Sequence, residues 1–124
     1  MHAERTLANM ENWNFRRGAH TVEVGPPDGV PVEAGPALVD FIAAEIGYSS
    51  ANLAHYRETW NQIATGMTPR SGISGNGTSQ TLDGDDVVLE ALYDQWPTVR
   101  IRSTQFEAFL DQFGDFLRDS GSGA

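Results

Sequence analysis

Polar and apolar positions along the chain repeat with two periods, and the points where one gives way to the other mark its elements. The strongest signal lies in the last third. Phe106, Phe109, Leu110, Phe113, Phe116 and Leu117 fall at i, i+3, i+4, i+7, i+10 and i+11, a single helical stripe, while Glu107, Asp111, Gln112, Asp115 and Arg118 take the opposite face. Thr104 and Glu107 have the Thr-x-x-Glu spacing of a capping box and predict where this helix begins. Burial of the stripe contributes roughly 10 kcal/mol gross, before chain entropy is subtracted, more than any other segment offers. Ahead of it the period shortens to two. A strand is predicted from Thr78 to about Leu82. A second has Val87, Leu89, Ala91 and Tyr93 on one face and Val88, Glu90 and Leu92 on the other; a third has Val99 and Ile101 inward. Asp83 to Asp86 and Gln95 to Pro97 read as the intervening turns. Arg100 and Arg102, outward on the third strand, are expected across from Glu90 or Asp94.

The first two-thirds read more weakly. Residues 1–11 have neither period and are expected to be a disordered lead-in. Trp13 and Phe15 alternate with polar neighbours, as do Val22 and Val24; Pro26 to Gly29 forms a turn, and Val30 and Val32 lead back, predicting a meander of three short strands. A helix from about Pro36 to Ile46 follows, stopped by Gly47, with Leu38, Phe41, Ile42 and Ile46 on one face. Ser49 or Ser50 caps a second helix, with Leu53, Tyr56, Trp60, Ile63 and Ala64 inward, halted by Gly66. Residues 66–77, rich in glycine and without period, form the longest loop, and residues 120–124 a flexible tail. The predicted order is βββ-αα-βββ-α: one α+β domain over residues 12–119, an antiparallel sheet with helices packed on one face.

Composition narrows the function classes. The formal net charge is −9, from 17 acids against 8 bases, and every base is an arginine. Such a surface repels nucleic-acid phosphates and anionic membranes and favours a basic protein partner, although acidity also serves plain solubility. The absence of cysteine removes disulfides, thiolate metal sites and cysteine nucleophiles, and leaves the cytoplasm as the simplest location. No apolar run has the length of a membrane span.

No motif in the chain carries catalysis. His55 and Glu58 share a helical face, but two side chains are too few for a zinc site. Asp83, Asp85 and Asp86 cluster as calcium ligands do, without the spacing of a calcium-binding loop, and read as a hairpin turn. The run from Gly72 to Thr78 is glycine-rich, but a phosphate-binding loop would continue into a helix and supply a lysine. No cofactor is expected. Trp96, in a turn beside Tyr93, Asp94 and Gln95, reads either as a tryptophan folded onto the sheet edge or as an exposed anchor for a protein partner.

Trp13, Phe15, Arg16, Arg17 and Gly18 at the opening, a helical middle, the Asp83, Gly84, Asp85 hairpin and the closing Phe106, Phe109, Leu110 helix form a layout over residues 12–118 that resembles the immunity proteins of bacterial polymorphic-toxin and contact-dependent inhibition systems. The resemblance is one of layout and carries over no individual functional residue. It implies a cytoplasmic protein that binds one cognate toxin domain, often a basic nuclease, and blocks its active site or substrate entry. The sequence then places the candidate surface on the acid-rich edge of Asp83, Asp85, Asp86, Glu90, Asp94 and Trp96, joined by Asp111 and Asp115. Two other readings stand beside it. One is a ligand-binding or catalytic domain with a pocket near the 66–77 loop, lined by His55, Tyr56 and Arg70; the other is a structural or homodimeric accessory protein.

Overall fold

A computed structural model describes residues 12–121; the expected lead-in, residues 1–11, and residues 122–124 of the expected tail lie outside it. The fold is α+β and, among the described residues, has two antiparallel sheets and three helices. A ribbon of β1 (Asn14–Arg17) and β2 (Val22–Gly25) precedes helix α1 (Ala34–Phe41), which runs on into a π turn over Ile42–Ile46. Helix α2 (Ser50–Ala64) follows. Then come β3 (Gly72–Ser74), β4 (Thr78–Asp83), β5 (Asp86–Ala91) and β6 (Val99–Arg102), paired in that order, and helix α3 (Ser103–Gly121).

The core is built around α3. Phe106, Phe109, Leu110, Phe113 and Leu117 are all buried. Val87, Leu89, Val99 and Ile101 meet them from one face of the four-stranded sheet, while Phe15 reaches Phe109, Phe113 and Phe116 from the ribbon. Edge-to-face contacts lock the helices together: Trp60 on Phe106 at 4.9 Å and Phe41 on Tyr56 at 5.0 Å between ring centroids. Ser49 caps α2 as expected, its hydroxyl accepting the Asn52 amide at 3.1 Å.

Four local expectations change. Val30 to Val32 form no strand. Pro31 has no amide to give a ladder, and the chain turns at once into α1, with the Val30 amide on the Pro27 carbonyl and the Ala34 amide on the Pro31 carbonyl, leaving Val32 exposed. Gly72–Ser74, expected in a loop, form an edge strand against β4. A Cβ on Gly72 would stand 2.6 Å from the Gln80 carbonyl oxygen, so the glycine that argues for a loop is what admits the strand. Helix α3 begins at Ser103, one residue ahead of the expected cap Thr104: Gln105 Oε1 accepts the Arg102 amide and the Asp85 carbonyl accepts the Ser103 amide, each at 2.8 Å. Finally, β5 ends at Ala91, so Leu92 and Tyr93 leave the sheet in a turn.

Beneath the sheet runs a polar chain that periodicity does not reveal. Thr78, Ser79 and Gln80 are buried. The Tyr56 hydroxyl donates to Gln80 Oε1 (2.8 Å), Gln80 Nε2 to Thr78 Oγ1 (2.7 Å), and Thr78 Oγ1 to Glu45 Oε2 (2.8 Å). Burial, with the Glu45 carboxylate second, pushes the Tyr56 phenol well above its ordinary value of 10.0. Glu45 sits in the π turn and gathers the 75–78 loop, accepting the amides of Asn76, Gly77 and Thr78 at 2.8, 3.1 and 2.9 Å. The loop that resembles an anion cradle is therefore closed over a carboxylate of its own chain.

Candidate protein-binding surface

The acidic edge is partly neutralised from within. Antiparallel register puts Arg102 opposite Asp86 and Arg100 opposite Val88. Arg100 reaches Asp83 at 2.8 Å and Asp86 at 3.3 Å, and Arg102 lies 3.6 Å from Asp86. The two arginines therefore meet the hairpin aspartates rather than Glu90 or Asp94, because β5 and β6 are in register at the hairpin end of β5. The Asp83 and Asp86 hydrogen bonds in turn raise the pKa of the Arg100 guanidinium. Between them Gly84 turns the hairpin with φ of 62°, the positive value needed at the first of two central residues. The Asp85 carboxylate projects from this turn and has no hydrogen-bond or ion-pair partner among the described residues.

The turn after β5 is clamped. Asp40 Oδ2, on α1, accepts Gln95 Nε2 at 2.8 Å and the Trp96 indole N–H at 2.9 Å. Gln95 also donates to the Gly77 carbonyl and accepts the Tyr93 amide, each at 2.8 Å. Trp96 is thus half-buried against the core, and the exposed aromatic at this turn is its neighbour Tyr93, 74% accessible, with Leu92 at 44%. Asp94 holds a left-handed φ of 57°, a conformation aspartate tolerates better than most residues. The side chains of Glu90 and Asp94 have no partner among the described residues, so the clamp presents Leu92 and Tyr93 between two uncompensated carboxylates.

Asp111 and Asp115 lie apart from this edge, on the exposed side of α3. Asp111 accepts Arg57 of α2 at 3.0 Å, and Asp115 pairs with Arg118 one turn on. Their arginine partners, Arg57 and Arg118, line a cleft of about 600 Å³ between α2 and α3. His55 and Arg70 are exposed and Tyr56 is buried against Gln80, so these three do not converge on a pocket at the 66–77 loop. Sequence reasoning passes over Tyr93, Asp40 and Gln95. Tyr93 reads as a strand residue and Asp40 carries no signal in the sequence, and only the contact between the two segments gives them their roles.

Among the described residues no helix is long and apolar enough to cross a membrane, and no three histidine, aspartate or glutamate side chains group to hold a metal ion. Compared with protein-family models, curated proteins and solved structures, the chain finds no match.

Proposed function

We propose that this α+β domain is a non-enzymatic binding protein that neutralises a basic protein partner by attachment, in the manner of an immunity protein acting on its cognate toxin domain in the cytoplasm. The observation that supports this is the leftover charge. Arg16, Arg57, Arg100, Arg102 and Arg118 each hold a carboxylate of the same chain, whereas the carboxylates of Asp85, Glu90, Asp94, Glu58 and Glu107 have no partner among the described residues. An exterior on which five arginines are held by carboxylates while five other acids stand free steers a cationic macromolecule toward it. Beside two of those acids, Tyr93 and Leu92 offer the exposed aromatic and aliphatic anchor around which binding energy concentrates.

Co-expression with the product of the adjacent gene tests the reading. A stable complex is expected, weakening as salt rises, with Tyr93→Ala reducing affinity by roughly tenfold or more and leaving the melting temperature unchanged. A neighbouring product that forms no complex, or a complex indifferent both to salt and to Tyr93→Ala, refutes it.

A further inference from the structure

Two carboxylates of one helix hold the Tyr93 turn, and Gly77 is the residue through which they act together. Its amide donates to Glu45 Oε2 at 3.1 Å, while its carbonyl accepts the Leu92 amide at 3.0 Å and Gln95 Nε2 at 2.8 Å. Gln95 Oε1 takes the Tyr93 amide at 2.8 Å, so the main-chain donors of both exposed anchor residues end on this junction. Gly77 is buried, and a Cβ there would lie 3.7 Å from the Ala44 Cβ on one side and 3.7 Å from Gln95 Nε2 on the other. Asp40 Oδ2, five residues ahead of Glu45, takes the same Gln95 amide group and the Trp96 indole.

Backbone geometry at both ends of this path is unusual. Five residues apart on an α-helix, Asp40 and Glu45 would stand about 140° apart around the axis. The π turn over Ile42–Ile46 winds more residues into each hydrogen-bonded ring, and so brings Glu45 round toward the side of Asp40. Such turns are rare and recur at functional sites. At the far end Asp94 keeps a left-handed φ of 57°, a conformation that persists only where its surroundings over-determine it. Yet the side chain this machinery orders most directly, Tyr93, is exposed and adds little to the core. We infer that Glu45 is a positioning residue for the Tyr93 anchor: acting through Gly77, with Asp40 beside it, it sets the turn in its binding shape before a partner arrives. A turn already ordered gives up less conformational freedom on binding, and the partner meets the competent form at every encounter rather than in a fraction of them. The inference rests on the protein-binding reading above and adds to it the residue that prepares the anchor.

Amide exchange on the full chain tests the coupling without a partner. Glu45→Gln is expected to speed exchange at Leu92 and Tyr93 by about tenfold, whereas Phe116→Ala, which loosens the packing of α3 on the ribbon, should leave both amides unchanged, because turn amides exchange by local opening and not by global unfolding. Where Glu45→Gln fails to fold, Glu45→Asp, which keeps the charge and withdraws it by one methylene, takes its place. Gln95→Ala cuts the same path at its other end, so the double variant should fall short of the product of the two separate effects, as residues of one network do. With the product of the adjacent gene as probe, Glu45→Gln should slow association by about tenfold and leave dissociation unchanged, the mark of a depleted competent state. Tyr93→Ala, which removes the contact itself, should instead raise the dissociation rate. Unchanged exchange at Leu92 and Tyr93, full multiplication in the double variant, or an unchanged association rate overturns the inference, while Tyr93→Ala still decides the anchor. A native chain that binds no partner ends the protein-binding reading, and exchange then decides alone whether Glu45 holds the turn.

Discussion

Tyr56 and Glu45 show how much of this fold depends on single polar atoms. The Tyr56 phenol is neutral in the folded state and held well above its ordinary value by burial first and Glu45 second, so folding favours its protonated form. Below about pH 10 the phenol is protonated in both states and its contribution is intact; above that, the unfolded chain ionises while the folded chain does not, and stability falls as pH rises toward the folded value. Denaturant midpoints taken at pH 9 and 11 should therefore drop for the native chain and drop less for Tyr56→Phe. Glu45 is the larger lever on the 75–78 loop, since one carboxylate accepts three amides and a hydroxyl. A Cβ at Gly75 would fall 1.9 Å from Glu45 Oε1, so the loop is shaped to that carboxylate. Glu45→Gln turns a donor toward those donors and is expected to cost about 2 kcal/mol, with amide exchange at Gly77 and Thr78 accelerating in step.

Between elements, the decisive contact is α3 against everything else. Phe109 and Phe113 stack at 6.1 Å, and Phe15 of the ribbon caps the row. Phe113→Ala opens a cavity bounded by helix and ribbon and should cost about 3–5 kcal/mol in chemical denaturation. Phe116 is only partly buried, so Phe116→Ala should cost measurably less. The π turn after α1 has a comparable role for the polar chain: the Gly47 amide bonds back to the Ile42 carbonyl at 2.6 Å, and this widened turn keeps Ile42 and Ile46 in the core while Glu45 reaches the loop.

For the molecule as a whole, surface charge governs association far more than folding. Arg100 is exposed and shared between Asp83 and Asp86, so Arg100→Gln should leave thermal unfolding unchanged within error. It frees the Asp83 carboxylate next to Asp85 and leaves Asp86 with Arg102 alone. Association with a cationic partner should then quicken at low salt, and the gain should vanish near physiological ionic strength, where the Debye length falls to about 8 Å. Stopped-flow rates at two salt concentrations check this. An unchanged rate at low salt would remove the hairpin end from the interface.

The sequence by itself determined the α+β class, the dominant helix from Phe106 to Leu117, a serine cap at Ser49 or Ser50 and the excess of acid over base. Each of these is written in local period or in composition, which backbone geometry converts directly into structure. Tertiary structure decided the rest. Strand register chose Asp83 and Asp86 as partners of the arginines, and so which acids stay free. Segments far apart in the chain chose Asp40 for Trp96 and left Tyr93 outside. Gly72 became a strand residue only because Gln80 and Thr81 lie against it, and Gly77 became a junction only because Glu45 and Gln95 meet there. Pairings of this kind depend on distances between residues far apart in sequence, and hydrophobic period, being local, does not contain them.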